Sequence, residues 1–174
     1  MASPTAIVPW VMPEDMKLPV AITHPSPEDR VAITDCIDRL VLGMDTNDAE
    51  LFDSALAQNA QWVLHIKTLV GLQAIHEQCF DSDITKLDTT HYVTNMRIHV
   101  EDDGSKAAVT TLYEAHHYRG GRGAVSGSAR YSTGGVYFMR LARDGDLAQG
   151  DWKITYVKLK PIWTEGDRLL VMQH

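Results

Sequence analysis

The stretch Thr89-Thr90-His91-Tyr92-Val93-Thr94-Asn95 decides how this 174-residue chain folds. It opens a segment of alternating residue types that continues to Val100 and ends before the turn Asp102-Asp103-Gly104. Alternation rich in β-branched and aromatic residues, closed by Asp-Gly, predicts a strand that leads into a hairpin. His91 then lies at the mouth of a sheet, where it either faces a pocket or is an ordinary surface histidine at a strand end.

Three further strands are predicted downstream, over about 106–118, 128–141 and 152–162. The glycine-rich run Gly120-Gly121-Arg122-Gly123 separates the first two, and the turn Arg143-Asp144-Gly145-Asp146 precedes the last. The glycine run lacks the spacing and the following helix of a phosphate-binding loop, so it is predicted to be a hairpin tip. Four consecutive long strands indicate an antiparallel meander.

The residues before this sheet carry helix signals. Ser26 suits an N-cap and Pro27 the first helical position. Apolar residues then recur at three- and four-residue spacings and predict one buried stripe. The stripe consists of Val31, Ile33, Ile37, Leu40, Val41 and Met44. Asp45 follows this stripe, and its carboxylate either points inward from the helix end or is solvated in a turn.

A short second helix, a strand and a third helix are predicted next. Asn47 or Asp48 caps the second helix, whose apolar residues are Leu51, Phe52 and Leu56. The strand covers 62–66, and the third helix follows the breaker Gly71 and carries Leu72, Ile75, Cys79 and Phe80. Helices segregated from an antiparallel sheet define an α+β fold. A strongly curved sheet wrapped around the N-terminal helices would enclose a cone-shaped cavity.

Residues 1–26 are predicted to form an extended arm ahead of a domain over residues 27–174. Six of the seven prolines lie within residues 1–27, a density that excludes helix and central strand. Apolar residues such as Trp10 and Met12 predict that the arm packs along the domain or onto a neighbouring subunit. An unpacked arm is the alternative.

Composition excludes several classes of partner. A formal net charge of -7 argues against nucleic acid and anionic membranes, since both require a basic face. No run of 18 apolar residues and no secretory signal pattern is present. Cys36 and Cys79 fall in predicted amphipathic helices and are expected to be free thiols, which indicates a reducing, cytoplasmic location. Neither Cys-x-x-Cys nor His-Glu-x-x-His occurs, so no metal site is predicted.

The strand over 106–118 carries a histidine on each face. Alternation places His117 with an apolar set that includes a few proton donors and acceptors, and His116 on the other face with Glu114. Which histidine points inward is left open. An apolar face with a few polar groups is what a small-molecule site requires, although Tyr and Thr are also common strand residues. The candidate substrate contacts on this strand and the next are Tyr113, Tyr131, Thr133 and Tyr137.

The chain resembles the nuclear transport factor 2-like superfamily in the order of its elements. A helix ends near an aspartate, a strand with tryptophan and another helix follow, and the motif T-x-H-x-x-x-N then opens a meander. Within this superfamily, residues 27–165 resemble the SnoaL-like group, of which scytalone dehydratase is a well-understood member. The resemblance implies the cone fold, a small-molecule substrate, no cofactor and self-association into a homo-oligomer. The same fold hosts dehydratases, isomerases, cyclases, epoxide hydrolases and non-catalytic subunits.

The resemblance also implies a catalytic set. It places the aspartate of the dehydratase at Asp45, its first histidine at His91, and its second at His117 or, with one residue of slippage, His116. Two histidines can act as base and acid near neutral pH, and an aspartate bonded to one of them fixes its tautomer and raises its basicity. One histidine would take a proton α to a carbonyl while the other protonates a leaving hydroxyl.

Other positions depart from the dehydratase pattern. Its third-strand serine and asparagine correspond to about Thr133 and Gly135, so the hydroxyl is retained and the amide is not. Met44 and Leu64 stand near its two substrate-polarising tyrosines. These departures argue against scytalone itself as the substrate. Trp62 and Leu64 are further candidate substrate contacts on the predicted first strand.

Together with these residues, the resemblance implies a cofactor-independent lyase, a dehydratase of a cyclic or polyketide-like hydroxy-carbonyl compound. An isomerase or cyclase of a secondary-metabolite intermediate would use the same pocket. From a different class, a non-catalytic ligand-binding protein or a dioxygenase small-subunit type of protein remains open. Such a subunit would have an occluded cone and would not need an aspartate and two histidines to converge.

Overall fold

The computed structural model describes residues 9–64, 67–144 and 151–171. Helix α1 spans Pro27–Thr46, and the Ser26 hydroxyl caps it by accepting the Asp29 N–H at 3.0 Å. Helix α2 spans Ala49–Ser54, and the Asp48 carboxylate caps it by accepting the Leu51 N–H at 2.9 Å. The predicted starts of both helices are therefore confirmed. Between them, Asn47 takes a left-handed conformation (φ 54°) that reverses the chain at once.

The third helical segment is irregular. Helix α3 covers Leu72–Ile75 and continues as a π-helical turn over His76–Asp81, followed by a 3₁₀ turn over Ile84–Lys86. Gly71 precedes the helix with φ 89°, a conformation that favours glycine. No helix in the described ranges has the length and apolarity needed to cross a membrane.

One curved sheet of six strands contains most of the remaining chain. The strands are β1 (Leu56–Val63), β2 (Thr68–Val70), β3 (Leu87–Val100), β4 (Lys106–Arg119), β5 (Arg130–Arg143) and β6 (Trp152–Gly166). They lie in the order β2-β1-β6-β5-β4-β3, so the predicted meander of four long antiparallel strands is confirmed. The sheet does not close, and β1 pairs with β6 in parallel, so the predicted sheet is not antiparallel throughout. Irregular pairing in β3 and between β5 and β6 bends the strands.

The first strand begins earlier than predicted. Leu56, predicted in the second helix, starts β1 and pairs with Ile154 of β6. The pairing of Leu56 with a strand almost a hundred residues away overrides its local preference for helix. A single sequence does not reveal this pairing. The short edge strand β2 was not predicted. His65 and Ile66 of the predicted strand, and Gly145 and Asp146 of the predicted turn, lie outside the described residues.

The core lies between α1 and the concave face of the sheet. All of the predicted stripe on α1 is buried there except Val31, which is 70% exposed. Phe52, Trp62 and Phe80 form an aromatic cluster within it. Cys36 and Cys79 are buried free thiols, as predicted, and burial raises their pKa to about 11 and about 12.

The described part of the arm lies across the outer, convex face of the sheet of its own chain. It contains a 3₁₀ turn over Glu14–Met16, between Pro13 and Pro19, so the prediction that the prolines exclude all helix from the arm was wrong for this one turn. Met16 is completely buried against Val136 and Phe138. The Trp10 indole N–H donates to the Pro161 carbonyl at 2.9 Å. A division into arm and domain at residue 26 stays a prediction, as does self-association.

Candidate active site

The C-terminal turn of α1 brings Asp45 to the start of β3. Asp45 Oδ1 lies 2.7 Å from His91 Nδ1 and accepts the Thr89 hydroxyl at 2.8 Å, while Oδ2 accepts the His91 backbone N–H at 2.7 Å. The two side chains are only 14% and 5% exposed. Asp45 therefore points inward from the helix end and is not solvated in a turn, which were the two orientations left open by the sequence.

This geometry sets the protonation of both partners. Burial alone would raise the pKa of Asp45, but the hydrogen bonds and charge of His91, together with the Thr89 hydroxyl, lower it below its ordinary value. Asp45 is therefore an ionised acceptor, and His91 Nδ1 carries a proton. Nε2 of His91 is left to exchange a proton with a ligand, and no described residue bonds to it.

His117 lies on the same face, one strand away. Its ring is perpendicular to that of His91, with 5.5 Å between the ring centroids. Its Nδ1 lies 3.2 Å from the Tyr131 carbonyl, which can only accept, so Nδ1 carries the proton and Nε2 the lone pair. Burial, reinforced by the neighbouring charge of His91, lowers the pKa of His117 to about 4. His117 is thus a neutral acceptor at neutral pH.

His116 is on the opposite face of the sheet. Its Nδ1 lies 2.8 Å from the Ser132 hydroxyl, its Nε2 lies 3.3 Å from Glu114, and its ring contacts Tyr92 on the convex side. Neighbouring residues of a strand alternate between faces, so the pairing that turns His117 inward turns His116 outward. The structure brings His117, and not His116, to the Asp45–His91 pair.

The four polar residues predicted to line the pocket share the concave face with His117. The Tyr131 ring lies 5.8 Å from that of His117, and the rings of Tyr113 and Tyr137 lie 4.5 Å apart with a tilt of 33° between them. The Tyr113 hydroxyl lies 3.4 Å from Thr133 Oγ1, which in turn donates to a backbone carbonyl. Each of these side chains is at most 9% exposed. Their contact with a substrate stays a prediction.

Trp62 and Leu64 lie at the other side of the core. The Trp62 ring stacks on Phe52 at 6.1 Å and is 3% exposed, and Leu64 is partly buried against the hydrophobic core. Their assignment as substrate contacts also stays a prediction. Among the described residues, no group of three or more His, Cys, Asp or Glu side chains is placed to hold a metal ion.

Thr89 was not among the predicted site residues, although its hydroxyl contacts Asp45. A sequence signal for it exists, because residues 89 and 91 of one strand must share a face. What the sequence could not supply was the inward direction of Asp45, which the helix end determines.

Comparison with known proteins identifies the family of the chain. Residues 25–158 match the model of the SnoaL-like domain. The chain belongs to the SnoaL-like family. It is 41% identical over 150 residues to terrestric acid biosynthesis cluster protein E of Penicillium crustosum, covering 86% of this chain and 93% of that protein. The predicted resemblance to SnoaL-like, nuclear transport factor 2-like proteins is thereby confirmed.

Solved structures show the same fold at low sequence identity. A type 2 hexachlorocyclohexane dehydrochlorinase superposes with a TM-score of 0.67 at 19% identity, over 80% of this chain and 89% of that one. A scytalone dehydratase-like protein of Novosphingobium aromaticivorans also gives 0.67, at 17% identity, over 81% of this SnoaL-like chain and 89% of its own.

Proposed function

We propose that this SnoaL-like protein is a lyase of the dehydratase type. Its substrate would be a cyclic or polyketide-like hydroxy-carbonyl compound, and its own side chains would move the proton without a cofactor. The observation that carries the proposal is the Asp45–His91 pair with His117 facing it at 5.5 Å. A relative from a biosynthesis cluster and fold neighbours named as a dehydrochlorinase and as scytalone dehydratase-like support elimination chemistry on a small molecule.

In this proposal His91 is the base. Its Nε2 takes the proton from the carbon α to the carbonyl, and the electron pair of that C–H bond moves onto the carbonyl oxygen as an enolate. The Asp45 carboxylate stabilises the resulting imidazolium through Nδ1. A positioned base of this kind contributes roughly 10²–10⁴-fold to the rate.

His91 would then also supply the proton for the leaving group. The enolate collapses to a C=C bond, the C–O bond of the β-hydroxyl breaks, and the leaving oxygen takes the Nε2 proton to form water. His117 is disfavoured as the acid because burial keeps it neutral, and a charged His91 would keep it more so. Its Nε2 lone pair instead accepts a hydrogen bond from the substrate hydroxyl and holds the leaving group beside His91.

Two alternatives follow from the same residues. If the leaving oxygen is absent, the His91 proton can return to another carbon, so isomerisation or cyclisation is the second candidate reaction. Isomerisation needs only one histidine to take and return the proton, so the assignment of both steps to His91 is compatible with it as well. A non-catalytic role is the third candidate, and it gives no reason for a buried carboxylate to hold a histidine at two points.

The experiment is a substrate screen with a matched pair of variants. Cyclic β-hydroxy-ketones, beginning with a β-hydroxycyclohexanone and a β-hydroxytetralone, are incubated with wild type, His91→Gln and His24→Gln, and the conjugated product is followed by absorbance. His24 is exposed, so His24→Gln is the control for loss of a histidine. We expect elimination with wild type and His24→Gln only. Equal rates with His91→Gln and wild type would contradict the proposal.

A further inference from the structure

The hydroxyl of Tyr137 is unusual for a phenol in a protein core. Tyr137 is 4% exposed, yet no described residue forms a hydrogen bond with its hydroxyl. Buried tyrosine hydroxyls normally find a partner, because a buried donor without one loses its hydrogen bond to water and gains none in return. An unpaired donor on the concave face therefore points to a ligand that would accept from it.

A second observation shows that the Tyr137 hydroxyl is not completely sealed from a ligand. In the described part of the chain, two side-chain polar atoms are sealed from solvent without a partner, Trp62 Nε1 and Ser128 Oγ. The Tyr137 hydroxyl has no partner either and is not one of these sealed atoms. Its oxygen therefore keeps some accessible surface that a ligand on the concave face could cover.

The charge of Asp45 also acts on the Tyr137 hydroxyl. Burial chiefly, then Tyr113, Cys79 and the negative charge of Asp45, raise the pKa of Tyr137 above its ordinary range. The phenol stays protonated throughout the working pH range and is a permanent donor. It lies on the same concave face as His91 and His117, the two proposed proton-handling residues.

Tyr113, the ring neighbour of Tyr137, differs from it because the hydroxyl proton of Tyr113 already forms a hydrogen bond. The one proton of the Thr133 hydroxyl goes to the Trp163 carbonyl at 3.2 Å, so Thr133 Oγ1 is left as an acceptor for the Tyr113 hydroxyl at 3.4 Å. Tyr113 therefore donates to Thr133 and supports the Tyr137 ring from 4.5 Å. The free donor of the pair is Tyr137.

We propose that Tyr137 donates a hydrogen bond to the carbonyl oxygen of the substrate and stabilises it as it becomes an enolate. The inference rests on the proposed function and deepens it, because it makes the substrate a ketone or conjugated carbonyl compound whose oxygen reaches β5. The positions near Met44 and Leu64 offer no phenol for this task. A donor aimed at a developing oxyanion in a water-poor site contributes roughly 10²–10³-fold to kcat.

The test uses nitrophenols, whose anions resemble an enolate conjugated with a ring. Binding of the nitrophenolate is measured by its absorbance with wild type, Tyr137→Phe and the control Tyr92→Phe, which removes a phenol hydroxyl from the convex face. Tyr137→Phe is expected to weaken binding roughly 10-fold or more, since hydrogen bonds to charged groups are strong. Tyr92→Phe should match wild type, and near-UV circular dichroism should show both variants folded.

The outcomes separate this inference from the proposed function. Nitrophenolate binding that Tyr137→Phe leaves unchanged, or no binding to wild type, overturns the role of Tyr137. Weakened binding to folded Tyr137→Phe supports it, even if no hydroxy-ketone is ever dehydrated. If the hydroxy-ketones are not dehydrated but Tyr137→Phe weakens nitrophenolate binding, the role of Tyr137 as a donor is supported and the lyase proposal fails. His91→Gln should retain nitrophenolate binding to within a few-fold while losing elimination.

Discussion

The Asp45 carboxylate holds His91 at two points, its ring Nδ1 and its backbone N–H, each at 2.7 Å. Holding ring and backbone together determines the rotamer and the tautomer of the histidine at once. The result is a prearranged Nε2 on the concave face, next to a second ring that burial keeps neutral. The proposed chemistry depends on this arrangement.

Substitution Asp45→Asn tests the carboxylate. The amide keeps the size of the side chain but lacks the charge that stabilises a protonated His91, and its NH₂ cannot accept the second bond. We expect kcat for elimination to fall roughly 100-fold or more, with a smaller change in KM. Asp35→Asn, at a side chain 64% exposed on the same helix, is the control and should retain activity. Full activity in Asp45→Asn would rule out the pair as the base.

Substitution Thr89→Val tests whether Thr89 positions Asp45. The valine keeps the shape but removes the hydroxyl bonded to Oδ1, a loss of about 1 kcal/mol in the free energy of unfolding. It also removes one of the interactions that lower the pKa of Asp45, so the acidic limb of the pH–rate profile should move to higher pH. Thr89→Ser should restore both properties, and Thr90→Val, at an exposed neighbour, should change neither. If Thr89→Val lowers the stability but leaves the pH–rate profile unchanged, Thr89 contributes to packing and does not position Asp45.

The stability of the fold should depend on His117 between about pH 4 and pH 6.5. Its pKa is lowered from 6.5 to about 4 in the folded state, so in this window the unfolded chain binds more protons. The contribution of His117 is therefore complete above pH 6.5 and is lost as the pH falls towards 4, by at most about 3 kcal/mol. Asp45, whose folded pKa is also lowered, acts in a separate window below about pH 3.8.

The measurement is urea unfolding of wild type and His117→Asn at pH 4.5 and pH 7. The stability difference between the two pH values should be smaller in His117→Asn, because the titrating group is gone. Equal pH dependence in the two proteins would show that His117 is not held neutral by its surroundings.

Substitution Met16→Ala tests the arm. Met16 is fully buried between the arm and the convex face, so its truncation should cost about 2–5 kcal/mol. Val20→Ala, at a side chain 97% exposed on the same segment, should cost little. Activity per folded molecule should stay unchanged in both, because the arm covers the face opposite His91. An unchanged midpoint in Met16→Ala would mean that the arm does not stabilise the sheet in solution.

Elements with strong local signals could be predicted from the sequence. The cap at Ser26 and the alternation of the strand that begins at Lys106 are properties of a few neighbouring residues, and the bounds of both elements were predicted to within about two residues at these points. Leu56 could not be placed, because its strand exists through pairing with β6. The choice between His116 and His117 was open for the same reason. The histidine that points inward is the one on the face of the sheet against which α1 packs. Alternation shows that the two histidines lie on opposite faces, but it does not show which face α1 covers.

The candidate site was predictable in its residue types more than in its arrangement. Asp45 and His91 are 46 residues apart, and their contact depends on the last turn of α1 ending above β3. The left-handed Asn47 reverses the chain there, and a short turn of that kind is only weakly encoded. Tyr137 could be predicted as a substrate contact from its place on the apolar face. Its unpaired hydroxyl could not be predicted, because that is a property of the packed core and has no sequence pattern.

The measurement that tests the central claim most directly is solvent deuterium exchange at the carbon α to the carbonyl, followed by proton NMR in D₂O. Wild type and His91→Gln are each incubated with the same cyclic β-hydroxy-ketone and with the matching ketone that lacks the hydroxyl. The account predicts rapid exchange of the α-proton with wild type for both compounds, elimination for the first alone, and neither with His91→Gln. Exchange at the same rate in both proteins, or elimination without any need for His91, would contradict it.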